Sequence, residues 1–87
     1  MLHIRLSRIA ADPPALDDCV GYIESEARQA LEFRPGSLGI SVLADRTEGP
    51  ALFGSVWASW EAMSASEETE APLRAELAKR AGTPVTV

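Results

Sequence analysis

Apolar and polar residues alternate from Leu2 to Ile9, with Leu2, Ile4 and Leu6 on one side and His3, Arg5 and Ser7 on the other, the two-residue period of a β-strand. The period then changes. After Ala11-Asp12-Pro13-Pro14, where Asp12 is expected to cap a helix and Pro13 to take its first position, Leu16, Cys19, Val20, Ile23, Ala27, Ala30 and Leu31 recur at three and four. Pro35-Gly36 must end this helix after about five turns. Two further strands are predicted over Ser37–Asp45 and Ala51–Ala58, joined by a hairpin through Arg46-Thr47-Glu48-Gly49-Pro50. Both strands carry apolar residues on each side, Leu52 and Val56 against Phe53 and Trp57, so something other than the chain's own helices is expected to cover one face of the sheet.

Ser59 is placed to cap a short helix through Trp60 and Met63, and Ser64-Ala65-Ser66-Glu67 has the spacing of a capping box. A helix break or restart is expected near Pro72. Leu73, Leu77, Ala78 and Ala81 form a second apolar stripe that Gly82 closes, and Thr83–Val87 reads as the start of a fourth strand. The order β, α, β-hairpin, α, β predicts an α+β, ferredoxin-like βαββαβ unit, residues 1–87 as one domain with its last strand cut short, in which both helices cover one face of a four-stranded antiparallel sheet. The other face then needs a partner sheet.

Composition narrows the chemistry. With 87 residues, 46% hydrophobic and a net charge of −5, the chain is an acidic folded domain, which argues against nucleic acid or an anionic membrane as partner. A single cysteine, Cys19, excludes an internal disulfide and is expected to be inert core. No signal peptide, anchor or membrane span is expected, and cytoplasmic residence is the default. No GxGxxG, P-loop or GxSxG motif occurs, and the acidic run Glu67-Glu68-Thr69-Glu70 is read as solvated helix surface rather than a metal site.

Two motifs carry a resemblance. Arg34-Pro35-Gly36-Ser37-Leu38-Gly39 resembles the xPGxxG approach to the second strand of antibiotic biosynthesis monooxygenase domains, and Trp57-Ala58-Ser59-Trp60-Glu61-Ala62-Met63-Ser64-Ala65-Ser66 resembles their W-x-S-x-E-A-x-x-x-S. With the element order, the likeness covers nearly the whole chain. It implies a dimeric α/β barrel in which two sheets pack face to face, a homodimer, and a ligand pocket between the sheet and helices of each subunit. It also implies cofactor-independent oxidation of an aromatic or quinol-type molecule by dioxygen, the substrate anion supplying the electrons.

On that resemblance Trp57 is the leading site candidate, its indole N–H aimed at a phenolate, with His3 and Arg5 as anion stabilisers and Tyr22, Phe53, Trp60 and Met63 lining the substrate. No cofactor and no metal are expected. Quinone-forming relatives place an asparagine and a tyrosine where this chain has Phe53 and Met63, and the chain contains no asparagine. Haem-degrading relatives need a histidine on the second helix, where Glu67, Glu70 and Glu76 stand. Structural alternatives stand beside these roles: Trp57 as core, Trp60 as an interface anchor, and His3, Arg5 and Ser7 as solvated residues or bridges across the barrel. The alternative function is a non-catalytic dimeric barrel that binds an apolar ligand or serves in assembly.

Overall fold

Strand β1 (His3–Ala10) leads into α1 (Pro13–Tyr22), which continues through a π-helical turn (Ile23–Ala27) into α2 (Arg28–Leu31). Then follow β2 (Ser37–Ala44), β3 (Pro50–Trp57), the short α3 (Trp60–Ala65) and α4 (Glu67–Ala81). This computed structural model describes residues 2–45, 47 and 50–87. Of the expected hairpin turn, Arg46, Glu48 and Gly49 lie outside the described residues.

The first helix begins where Pro13 predicts, but Asp12 makes no side-chain cap. A cap accepts from the second or third helical residue, and the second here is Pro14, which has no N–H to give. Leu16, Cys19, Val20, Ile23, Ala27 and Leu31 are buried. Ala30 is exposed, because the stripe runs from Ile23 to Ala27 to Leu31 at intervals of four and turns Ala30 to solvent. Gly36 then starts the turn into β2 at φ 80°, and an added Cβ would stand 2.5 Å from Ala62 Cβ, so glycine is required on two counts.

The sheet has three strands in the order β1-β3-β2, both pairs antiparallel. The fourth strand is reduced to one bridge, Thr86 exchanging backbone hydrogen bonds with Arg8 at 2.7 and 3.2 Å. Pro84 has no N–H to contribute to a longer ladder. A bulge between Ser37 and Gly39 opens β2.

The second helical region breaks at Ser66, not at Pro72. α4 runs through Pro72, which lies on the exposed side, where losing one backbone donor is least costly. The capping box also fails to form: Ser66 flanks α4 without a side-chain cap, its hydroxyl turned to the Met63 carbonyl at 2.6 Å. Ser59 does cap α3, accepting from the Ala62 amide at 3.1 Å. Gly82 closes α4 in the left-handed conformation at φ 73°.

All helices pack on one side of the sheet. The core there comprises Ile9, Leu16, Cys19, Ile23, Ala27, Leu31, Phe53, Trp57, Leu73 and Leu77. The opposite face is open and apolar, with Leu2, Ile4, Leu6, Leu43 and Leu52 exposed. β1 therefore turns its polar side toward the helices and its apolar side outward.

Candidate functional site

β-strand alternation puts His3, Arg5 and Ser7 on the helix side, opposite Trp57, Ser55 and Phe53 in that order across the β1–β3 pair. A polar residue in the middle of this face needs a partner from the helix above, and α4 supplies one. Glu70 is only 1% exposed, and its carboxylate accepts from the Arg5 guanidinium and from Ser55 Oγ, 3.2 Å from each carboxylate oxygen. Ser55 Oγ in turn accepts the Trp57 indole N–H at 2.9 Å.

Arg5 makes further bonds at the joint between α3 and α4. It donates to the Met63 carbonyl at 2.9 Å and to Ser66 Oγ at 3.0 Å, and Glu67 stands 3.6 Å away. Ser66 Oγ also lies 3.0 Å from Glu70 Oε2; its single proton serves either that oxygen or the Met63 carbonyl. From the other side Arg34 donates to the Ala65 carbonyl at 3.1 Å and to Thr69 Oγ1 at 2.9 Å. Two arginines thus hold the carbonyls left open where α3 ends, as a helix C-terminus requires.

The result is a continuous buried chain, Trp57 to Ser55 to Glu70 to Arg5, crossing from β3 through α4 to β1. Glu70 corrects the reading of the acidic run as solvated surface: Glu68 is exposed and Glu67 half-exposed, while Glu70 is core. The signal was present in the spacing, since Ser66, Glu70, Leu73 and Leu77 follow one another at four, three and four and are all buried. Ser55 and Ser66 were missed with it. Ser7, also buried, has no hydrogen-bond partner for its hydroxyl among the described residues.

Trp57 is fully buried with its indole N–H engaged by Ser55, and Phe53 packs beside it on the same strand face. Met63 is partly buried against the core, whereas Trp60 stands 59% exposed at the start of α3. His3 is half-buried opposite Trp57. Tyr22 lies apart, with the Arg80 guanidinium 4.6 Å above its ring. Burial, followed by nearby Glu76, pushes the Tyr22 hydroxyl above its ordinary pKa. The structure therefore brings Arg5, Trp57, Phe53, His3 and Met63 together and leaves Tyr22 outside the group.

Recesses lie elsewhere on the surface. One of about 430 Å3 is lined by Arg8, Asp12 and Thr83, another of about 430 Å3 by Arg8, Leu43 and Leu52, and one of about 260 Å3 indents the open sheet face at Gly54. None of these three is lined by Trp57. Among the described residues no group of three or more His, Cys, Asp or Glu is set to hold a metal ion, and no helix is long and apolar enough to cross a membrane.

No family model matches the chain. The uncharacterized protein Rv2558 of Mycobacterium tuberculosis is 34% identical over 74 residues, which is 85% of this chain and 31% of that protein. The uncharacterized protein Rv2557 of the same organism is 32% identical over 85 residues, 97% of this chain and 38% of that protein. The chain thus spans about a third of the length of these curated relatives.

Among solved structures, a monooxygenase from the gene ActVA-Orf6 of Streptomyces coelicolor, in complex with nanaomycin D, superposes with a TM-score of 0.78 at 17% identity, over 95% of this chain and 80% of that one. An antibiotic biosynthesis monooxygenase gives 0.72 at 19% identity, over 99% and 92%. A mutant of SnoaB, a cofactor-independent oxygenase from Streptomyces nogalater, gives 0.63 at 14%, over 87% and 78%. The helix-backed sheet described above is thus the fold of the antibiotic biosynthesis monooxygenases.

Proposed function

We propose that this chain is a cofactor-independent monooxygenase-like unit of the antibiotic biosynthesis monooxygenase type, acting on an aromatic or quinol-type small molecule. The observation that carries this reading is the buried chain of Trp57, Ser55, Glu70 and Arg5, set on the helix side of the sheet in a fold whose solved examples include oxygenases. Buried ion pairs contribute little net stability, so a charged network in the middle of a small core is a candidate for chemistry.

In this reading the substrate loses a proton, and its anion passes electrons to dioxygen. One oxygen atom joins the ring carbon and the other leaves as water, so a methylene becomes a carbonyl. The protein stabilises the anion and excludes water, which requires apolar walls, here Phe53 and Met63, and donors, here the Trp57 indole with His3 or Arg5. Trp57 must exchange Ser55 for the substrate oxygen. A ligand enters in this reading by displacement of α3, which has no fully buried residue, with loss of the Arg5 and Arg34 bonds to its carbonyls. Trp60 on α3 completes the substrate-lining set of this proposal, while Tyr22, covered by Arg80, stays outside it.

The acting form in this proposal is a homodimer in the cytoplasm; the apolar open face of the sheet, which suits a second sheet packed against it, supports the pairing. Acidic charge supports small molecules over nucleic acid or a membrane surface as ligands.

A second reading, a non-catalytic dimeric barrel for ligand binding or assembly, is favoured by one observation. Phe53, Trp57 and Leu77 are all fully buried in the space between sheet and helices. Oxygen uptake by metal-free protein with a panel of anthrones and hydroquinones, beside the Trp57→Phe variant, decides between them. Protein-dependent uptake that falls at least tenfold in the variant supports the oxygenase; no uptake across the panel transfers the assignment to the non-catalytic barrel.

A further inference from the structure

The geometry points to Glu70 as the positioning residue of Trp57, acting through Ser55, with Arg5 as the counter-charge that fixes the carboxylate. The role rests on the reading of Trp57 as a site residue only for its consequence in catalysis, not for its physical basis.

A serine hydroxyl has one proton and two lone pairs, and in isolation it rotates among several orientations. Ser55 is 1% exposed, so no bulk solvent settles the choice. The Glu70 carboxylate does. It is an acceptor only, and Ser55 Oγ lies 3.2 Å from both of its oxygens, so the Ser55 proton points to Glu70 and a lone pair is left for the indole N–H at 2.9 Å. The polarity of the whole chain is set at its charged end.

Arg5 completes the device. A buried carboxylate without a counter-charge is costly and would turn away in search of a donor, which would leave the Ser55 proton without a fixed acceptor. Arg5 prevents this by donating to Glu70 while the Met63 carbonyl and Ser66 Oγ hold the guanidinium in place, at 2.9 and 3.0 Å. Replacing a buried ion pair by apolar residues of similar volume is often neutral or stabilising, so orientation rather than stability is the role assigned to the pair.

The test uses Arg5→Met/Glu70→Leu, which removes both charges together and so leaves no buried ion unpaired, with Ser55→Ala setting the scale for complete loss of the indole's acceptor. Proton–nitrogen spectra of the intact chain report the Trp57 indole directly, and Trp60→Phe assigns it. In the double variant the indole proton is expected to exchange with solvent at least tenfold faster and to shift most of the way to its Ser55→Ala position, while β3 backbone amides keep their wild-type protection. An unchanged indole in the folded double variant would overturn the role, since Ser55 would then hold Trp57 unaided. Indole and β3 amides losing protection by the same factor would also overturn it, because the pair would then be structural. Oxygen uptake, measured separately, reports on Trp57 as a site residue: a Trp57→Phe variant with full uptake refutes that reading and leaves the positioning result standing.

Discussion

Replacing Glu70 alone by leucine isolates what the buried pair does to stability. The substitution keeps the volume of the side chain but leaves the Arg5 guanidinium, 11% exposed, without its main counter-charge. Breaking a buried pair in this way costs about 3–5 kcal/mol. Three contacts reduce the loss here: Arg5 keeps the Met63 carbonyl at 2.9 Å and Ser66 Oγ at 3.0 Å, and Glu67 at 3.6 Å can close on it. Ser55 loses its acceptor at the same time, which adds about 1 kcal/mol. The expected cost is therefore about 3 kcal/mol. A chain of 87 residues has about 4–13 kcal/mol in all at about 0.05–0.15 kcal/mol per residue, so the variant should fold but with its midpoint lowered by roughly 12–24 °C. Urea titration followed by far-ultraviolet circular dichroism gives the free energy directly. A loss below about 1 kcal/mol would show that Arg5 is solvated or re-paired once Glu70 is gone, and the picture of a sealed polar chain would fall.

Pro72→Ala should stabilise the chain by up to about 2 kcal/mol in the same titration: a helix-interior proline costs about 3 kcal/mol through ring clash and lost hydrogen bond together, less about 0.4–1 kcal/mol for the freer unfolded chain. Cys19 is fully buried, and burial followed by the charge of Asp18 raises its thiol pKa, so a disulfide reagent at pH 8 should react only at the rate of unfolding. Hydrogen bonding from Arg74, then the charges of Arg74 and Arg5, hold Glu67 below its ordinary pKa. Its stabilisation is thus present above the unfolded value near ~4.3 and is lost as pH falls through the folded one, and Arg74→Gln should flatten that acid limb of the stability profile. If the open face pairs with a second copy, Leu43→Glu should lower the sedimentation coefficient to that of a monomer while circular dichroism is unchanged.

Period and punctuation alone made most of the fold legible. The two-residue alternation of Leu2–Ile9, the helical stripe from Leu16 to Leu31, Pro35-Gly36 and Gly82 all mark features that the structure contains. The misses share a cause, which is that a tertiary partner decided them. The continuation of α4 through Pro72 depends on which side of the helix faces solvent. The fourth strand shrinks to the Arg8–Thr86 bridge because Pro84 denies the ladder a donor. Glu70 looked solvated because its neighbours in sequence are; only the spacing to Leu73 and Leu77, read together with a charged residue on the facing strand, would have marked it. Trp57 was legible as a residue worth singling out, yet its hydrogen-bond partner two residues earlier on the same strand face was not, since a serine in a strand carries no signal of its own.

The inverted amphipathicity of β1 and the buried pair are two consequences of one register. Sliding β1 by one residue would turn Ile4, Leu6 and Arg8 toward the helices and Arg5 and the buried Ile9 outward. In an isolated chain that slip would gain about 1.5–3 kcal/mol for each of Ile4 and Leu6 if fully buried, lose a similar amount at Ile9, and forfeit a buried pair whose rupture costs about 3–5 kcal/mol. The observed register is favoured, by a small margin. Gly54 adds a steric preference for the observed one: Leu6 lies across it, and a Cβ there would meet Leu6 Cδ2 at 3.3 Å, so the strand opposite is shaped for leucine on the open side. The open face itself supplies the rest of the preference once it is covered, because Ile4 beside Val56, Leu6 beside Gly54 and Ser41, and Leu52 beside Leu43 form apolar rows that gain on contact with another apolar surface what the slip would have gained inside. Covering the open face and keeping Arg5 on Glu70 are therefore coupled through β1. A change that uncovers the leucines should loosen the polar chain behind them, although no residue of that chain touches the uncovered face.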